Sequence, residues 1–182
     1  MGPAARQTEN LMNAVRSAPA DAELALSLIR VTVGAVMLAH GWNHFFGGGR
    51  LPGAARWFES LGMRPGVVHA WLASATEVGA GAGLVLGFAT VLACAATVGL
   101  MTVAGVVAHR RNGFFVFRDG YEYVLVLALA AVAVALGGPG RLALDNAAGI
   151  EVTGVAGLLV SAVGGVGSAG ALLACCYRPP GG

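Results

Sequence analysis

The chain has 182 residues, 57% of them hydrophobic and only 11% charged, with a formal net charge of +2 and a mean hydropathy of +0.74. A water-soluble domain carries roughly 25% charged residues, so these figures exclude a soluble enzyme, and the small net charge gives no electrostatic footprint for nucleic acid. Every positive charge is an arginine, and Cys94, Cys175 and Cys176 form no C-x-x-C pair, so a redox dithiol is not indicated and the thiols read as small buried groups.

Residues 1–23 form a polar tail of mixed charge. The apolar run that follows starts too late and is too long for a secretory signal peptide. About 20 apolar residues span the hydrocarbon core of a bilayer. Stretches of that kind occur at residues 24–46, 67–88, 89–109, 121–136 and 152–177. An open strand would leave backbone polar groups unpaired in lipid, and no segment alternates as a barrel strand does, so all five are expected to be helices. The expected architecture is all-α: an integral membrane four-helix bundle over residues 24–145, with an additional fifth transmembrane helix and short tail in 146–182.

Two connections carry more than a turn. Residues 47–66 hold Gly47, Gly48, Gly49, Pro52 and Pro65 around Trp57-Phe58-Glu59-Ser60-Leu61, which suits a short interfacial helix. Residues 110–120 hold Arg110, Arg111, Arg118 and Asp119 around Phe114 and Phe115. Hairpin connectivity puts both on one face. That face and the C-terminal tail hold Arg50, Arg56, Arg64, Arg110, Arg111, Arg118 and Arg178, against Arg6, Arg16 and Arg141 on the other. The positive-inside rule then predicts a multi-pass protein of the cell membrane with the long connections in the cytoplasm.

Ionisable groups inside a bilayer are costly, which makes each one a functional candidate. Glu77 lies near the middle of the second segment among Ala73, Ser74, Ala80 and Gly81. At ~1.5 Å per residue, Arg30 lies within about 10 Å of the same depth, so an Arg30–Glu77 pair or a backbone-bonded carboxyl is the structural alternative to a functional Glu77. Arg30, Gly34, Met37, Gly41 and His44 share one helical stripe, with His40 at its edge. The i, i+4 spacing of His40 and His44 can hold a metal or a haem, but the pattern recurs by chance; no metal site is assigned and haem is disfavoured. His40, His44, His69, His109, Asn112, Tyr121 and Glu122 converge with the long connections on one mouth of the bundle, with Glu77 beneath. Trp42, Phe114 and Phe115 offer an apolar wall there. On the fifth helix, Gly157, Ser161 and Gly165 make a smooth face that needs a close neighbour: its own bundle, a second copy or another protein.

Several elements together resemble the DoxX family of membrane proteins. Arg30, Gly34 and His40-Gly41 resemble its first helix, and Phe58-Glu59-Ser60-Leu61-Gly62-Met63-Arg64-Pro65 its first connection. Glu77 with Gly79 and Gly81 is similar to its E-x-x-G-G element. His109, Asn112-Gly113-Phe114-Phe115 and Gly120-Tyr121-Glu122-Tyr123 are similar to its H-x-x-N-G-F-F…G-Y-E-Y signature, and Gly138-Pro139-Gly140-Arg141 through Asp145 to the close of its fourth helix. The resemblance covers residues 24–145; His44 stands where members often have Lys, and the fifth helix lies outside the usual core. It implies a four-helix bundle and kinship with a subunit of thiosulfate:quinone oxidoreductase. The expected function is that of a membrane subunit of a redox-linked, quinone- or sulfur-type oxidoreductase system. Glu77 and His109 are then the candidate catalytic groups, and Arg30, His40, His44, Asn112, Phe114, Tyr121 and Glu122 the candidate substrate or quinone contacts. No dinucleotide fingerprint or iron–sulfur cysteine set is present, so electrons must come from a quinone, from other membrane or peripheral redox proteins, or from an unmarked haem. The alternative is a non-catalytic membrane anchor or assembly subunit of a larger membrane complex.

Overall fold

A computed structural model describes residues 3–150 and 152–179, with side chains described from Ala20 onward. The side chains of Arg6, Arg16 and Glu151, which entered the charge count and the layout of the two faces, lie outside the described set. Apart from the bridge between Met63 and Tyr177, the described residues are helices and turns.

Helix α1 spans Pro3–Phe46, so the expected polar tail continues the first helix without a break. A short helix α2, Arg50–Ser60, fills the first connection and extends beyond the five residues expected to be helical. Helix α3 is Gly66–Leu86, α4 is Thr90–Asn112, α5 is Glu122–Gly137, α6 is Leu144–Ala148 and α7 is Gly154–Cys176. Three segments, Ala20–Phe46, Thr90–Asn112 and Gly154–Cys176, are long and apolar enough to cross a membrane, and Glu122–Gly137 is a shorter apolar helix.

Packing follows from small residues and apolar stripes. Helices α1, α3, α4 and α5 form a closed ring in which each packs on the next, and α7 lies outside it against α4 and α5. The α1–α3 contact is the most extensive. A Cβ built on Gly34 would lie 2.8 Å from the Gly81 carbonyl oxygen, and one on Gly81 would lie 2.9 Å from that of Gly34. Real Cβ atoms do not approach so closely, so only glycine pairs permit this crossing. Inside the ring, Val33, Met37, Leu84, Cys94, Val98, Leu127, Ala131 and Val134 make one apolar core. Outside it, Leu28, Leu92, Leu129, Val155 and Val163 are all more than half exposed. A soluble domain would not leave so many branched apolar side chains in water; a lipid-facing surface does.

The smooth face of α7 has its neighbour within the chain. Gly157 abuts the Ala135 carbonyl, Gly165 abuts the Ala95 carbonyl and Val98, and Ser161 is fully buried. The C-terminal end of α7 is tied to the first connection: Arg64 N–H donates to the Cys176 carbonyl, and Arg178 N–H donates to the Gly62 carbonyl at 2.8 Å.

The end of the bundle away from the long connections is closed by two charged residues. Arg30, 1% exposed, donates from Nε to the Pro139 carbonyl at 2.7 Å, from Nη1 to the Leu84 and Val85 carbonyls, and from Nη2 to the Leu142 carbonyl at 2.5 Å. The Leu84 and Val85 carbonyls lie in the last turn of α3, where helix geometry leaves carbonyls short of intrahelical donors, and those of Pro139 and Leu142 lie in the loop after α5. Asp145, also buried, accepts from the Ala89 N–H at 2.7 Å and the Thr90 N–H at 2.8 Å, capping α4 from another element. Arg30 therefore does not pair with Glu77: its guanidinium is occupied by backbone at the opposite end.

Candidate functional site

Beneath the long connections a cavity of about 360 Å3 opens among α1, α2, α3, α4, α5 and the 110–120 connection. Each ring helix contributes a polar side chain to it. Helix α1 supplies His40 and His44, one turn apart. Helix α3 supplies Glu77, brought close because a Cβ on Gly41 of α1 would lie only 3.2 Å from the Glu77 Cβ. Helix α4 supplies His109 at the end of a π-helical stretch, Gly105–His109, whose wider turn changes the angular position of that side chain relative to a regular helix. Helix α5 supplies Tyr123, and the connection before it supplies Asp119.

The hydrogen bonds fix several proton positions. Ser74 Oγ donates to the Ala70 carbonyl at 2.7 Å, so its oxygen is the acceptor toward His44 Nδ1, 3.0 Å away. Nδ1 of His44 therefore carries a proton. The same nitrogen is 3.0 Å from Glu77 Oε2, within ion-pair distance, and Oε2 is buried with no donor besides it. Glu77 is 7% exposed. His40 Nε2 lies 3.3 Å from the Tyr123 hydroxyl. His109 Nδ1 donates to the Asp119 carbonyl at 2.8 Å and lies 3.4 Å from its carboxylate, which leaves Nε2 as the nitrogen able to exchange a proton. Among the described residues, no three His, Cys, Asp or Glu side chains come together as a metal-ligand set.

Four of the sequence-selected residues, His40, His44, Glu77 and His109, thus meet around one cavity. The others do not line it. Arg30 is at the far end. Asn112 donates from Nδ2 to the Asp119 carbonyl at 3.1 Å, and Glu122 accepts from the Val116 N–H at 2.9 Å; both shape the connection that roofs the cavity. Phe114 and Tyr121 are exposed and meet edge-on at 5.5 Å outside it. Trp42 is 64% exposed and packs on Phe46, so it is not the expected wall. Trp57 and Phe58 of α2, with Met37, Leu100 and Met101, form the apolar lining instead. Tyr123 and Ser74 were not singled out from sequence. Tyr123 was within reach: it lies four residues before Leu127, on the edge of the buried stripe Val124, Leu127, Ala131 and Val134.

The DoxX family model matches residues 25–110, which runs from the middle of α1 through most of α4 and therefore takes in His40, His44, Glu77 and His109. No curated protein and no solved structure matches the chain.

Proposed function

Residues 25–110 make this chain a membrane protein of the DoxX family, and from that premise we propose that it is the multi-pass membrane subunit of a redox-linked, quinone- or sulfur-type oxidoreductase system of the cell membrane. In this reading α1, α3, α4, α5 and α7 all cross the bilayer. The long connections lie in the cytoplasm, and the cavity beneath them takes the ring of a membrane quinone. The observation that carries the reading is Glu77, a buried carboxylate whose Oε2 meets the His44 Nδ1–H at 3.0 Å and no other side chain or backbone donor, bordering a cavity with an apolar lining and donors from three other helices. A buried carboxylate held by a single side-chain donor is costly in a protein interior, and a quinol hydroxyl that donates there relieves that cost.

A quinone accepts two electrons and two protons on reduction, and the electrons come from a partner redox protein. This chain's residues handle position and protons. The His40 Nε2 and Tyr123 hydroxyl pair offers a donor to a ring carbonyl. His44 Nδ1–H and Glu77 hold a proton at 3.0 Å from each other, and His109 Nε2 is placed to pass one toward the connection side. Trp57 and Phe58 exclude water from the ring.

The test uses the cavity's own tryptophan. Quenching of Trp57 fluorescence by decylubiquinol, kept reduced so that its hydroxyl can donate to Glu77, in protein reconstituted in nanodiscs, reads binding, with Trp57→Phe as the control for Trp42 and Trp71. Glu77→Gln is expected to weaken binding about tenfold or more, the size of a hydrogen bond to a charged group. Quenching that is unchanged in both variants would remove the ligand from this cavity.

A further inference from the structure

A second cavity, of about 290 Å3, lies on the other side of the Phe58, Ala73, Leu100 and Val103 wall. Helices α3 and α7 both pack on α4 and leave a cleft between them. The cleft is bounded by Leu72 and Thr76 of α3, Ala96 and Gly99 of α4, and Ser168 and Leu172 of α7. Leu72 is 47% exposed on the apolar outer surface, so the cavity opens sideways, toward lipid. No acidic or basic side chain lines it except one histidine. His69 is 3% exposed, and its Nε2 is buried without a hydrogen-bond partner.

That nitrogen has no structural account. A buried imidazole nitrogen without a partner costs stability, whereas Arg30 and Asp145, equally buried, are matched by backbone groups. It sits where an amphiphile's head would be. His69 lies one turn from the start of α3, at the end of the bundle that bears the long connections. Thr76, seven residues deeper, lies about 10 Å further toward the middle of the membrane, at ~1.5 Å per residue. The polar anchor is thus near the membrane interface, and the apolar remainder of the cavity runs inward beneath it.

We propose that this lateral cavity is a binding site for an uncharged, membrane-soluble amphiphile that carries a single hydroxyl or carbonyl at one end, with the His69 Nε2 as its hydrogen-bond partner and α7 as its outer wall. The site is distinct from the inner cavity and does not depend on the redox reading. A charged head group is disfavoured because no counter-charge lines the cleft. The ligand enters from the bilayer between α3 and α7 and lies with its head toward the long connections.

The probe is a ten-carbon aliphatic alcohol bearing a mid-chain diazirine, photolysed with the full-length protein in nanodiscs and mapped by mass spectrometry. Label is expected on the α7 segment around Leu172 or the α4 segment around Gly99, displaced by 1-decanol and not by decyl phosphate. His69→Leu keeps the apolar volume and is expected to cut labelling about three- to tenfold, the loss of one hydrogen bond, with partial rescue by His69→Gln. Ala96→Phe fills the deep end and is expected to abolish labelling, while Glu77→Gln leaves it unchanged. Equal labelling in wild type, His69→Leu and Ala96→Phe would reduce the site to adventitious lipid contact. Loss of label in Glu77→Gln alone would place the probe in the inner cavity and overturn the proposal.

Discussion

The two ends of the bundle bury charge in opposite ways. At one end Arg30 and Asp145 are enclosed, and the backbone answers them: carbonyls at the end of α3 and after α5 receive the guanidinium, and the first N–H groups of α4 receive the carboxylate. Toward the other end His69 is equally enclosed yet keeps its Nε2 with no partner, and the buried Glu77 Oε2 is answered only by the His44 side chain and by no backbone group. A buried charge that completes helix ends is part of the frame. A buried polar atom left open costs stability for no structural return, and that contrast separates scaffold from site within one small protein.

If the contrast is sound, substitutions at the closed end damage folding and those at the open end spare it. The largest effect is expected at Arg30. Arg30→Met leaves its carbonyls buried and unpaired, and is expected to cost on the order of 3–5 kcal/mol, read as a large loss of thermal stability in detergent. Gly81→Leu comes next, because any side chain there must force α1 and α3 apart; overpacking of this kind costs about 1–3 kcal/mol, and loss of the Gly41–Glu77 proximity should follow it. Asp145→Ala removes a helix cap worth about 1 kcal/mol, measurable as a lowered midpoint and faster hydrogen exchange at the start of α4. The smallest change in stability is expected for Glu77→Gln, under about 1 kcal/mol, since the amide oxygen can still accept from the His44 Nδ1–H in place of Oε2. A Glu77→Gln protein as unstable as Arg30→Met would erase the distinction between the two ends.

Sequence exposed the frame better than the site. Apolar runs located α3, α4, α5 and α7 to within a few residues, because lipid demands long uninterrupted helices. The start of α1 was missed: the polar composition of residues 3–23 reads as a tail, but helix propagation from an apolar segment carries past it. Depth along each helix was also legible, and the structure brings His40, His44, Glu77 and His109 to one cavity. Rotation about each helix axis was not. Tyr121 and Tyr123 lie at nearly the same depth but about 200° apart around α5, and only the packing of the ring turns Tyr123 inward. Arg30 was misassigned for a related reason. Its depth allowed a Glu77 partner, while the carbonyls that hold it come from residues 84–85 and 139–142, a contact that no local pattern announces. The neighbour of the α7 face was open on sequence grounds and is settled by close approach to Ala95 and Ala135.

The central claim is that Glu77 and His44 exchange a proton with a reducible ligand in the inner cavity. Redox-induced infrared difference spectroscopy on the protein reconstituted with decylubiquinone reads this directly. Reduction is expected to change the protonation of one buried carboxyl, as a carboxyl band absent in Glu77→Gln and shifted in His44→Gln, while Asp145→Asn leaves it in place. A difference spectrum with quinone bands but no carboxyl band, the same in wild type and Glu77→Gln, would contradict the account.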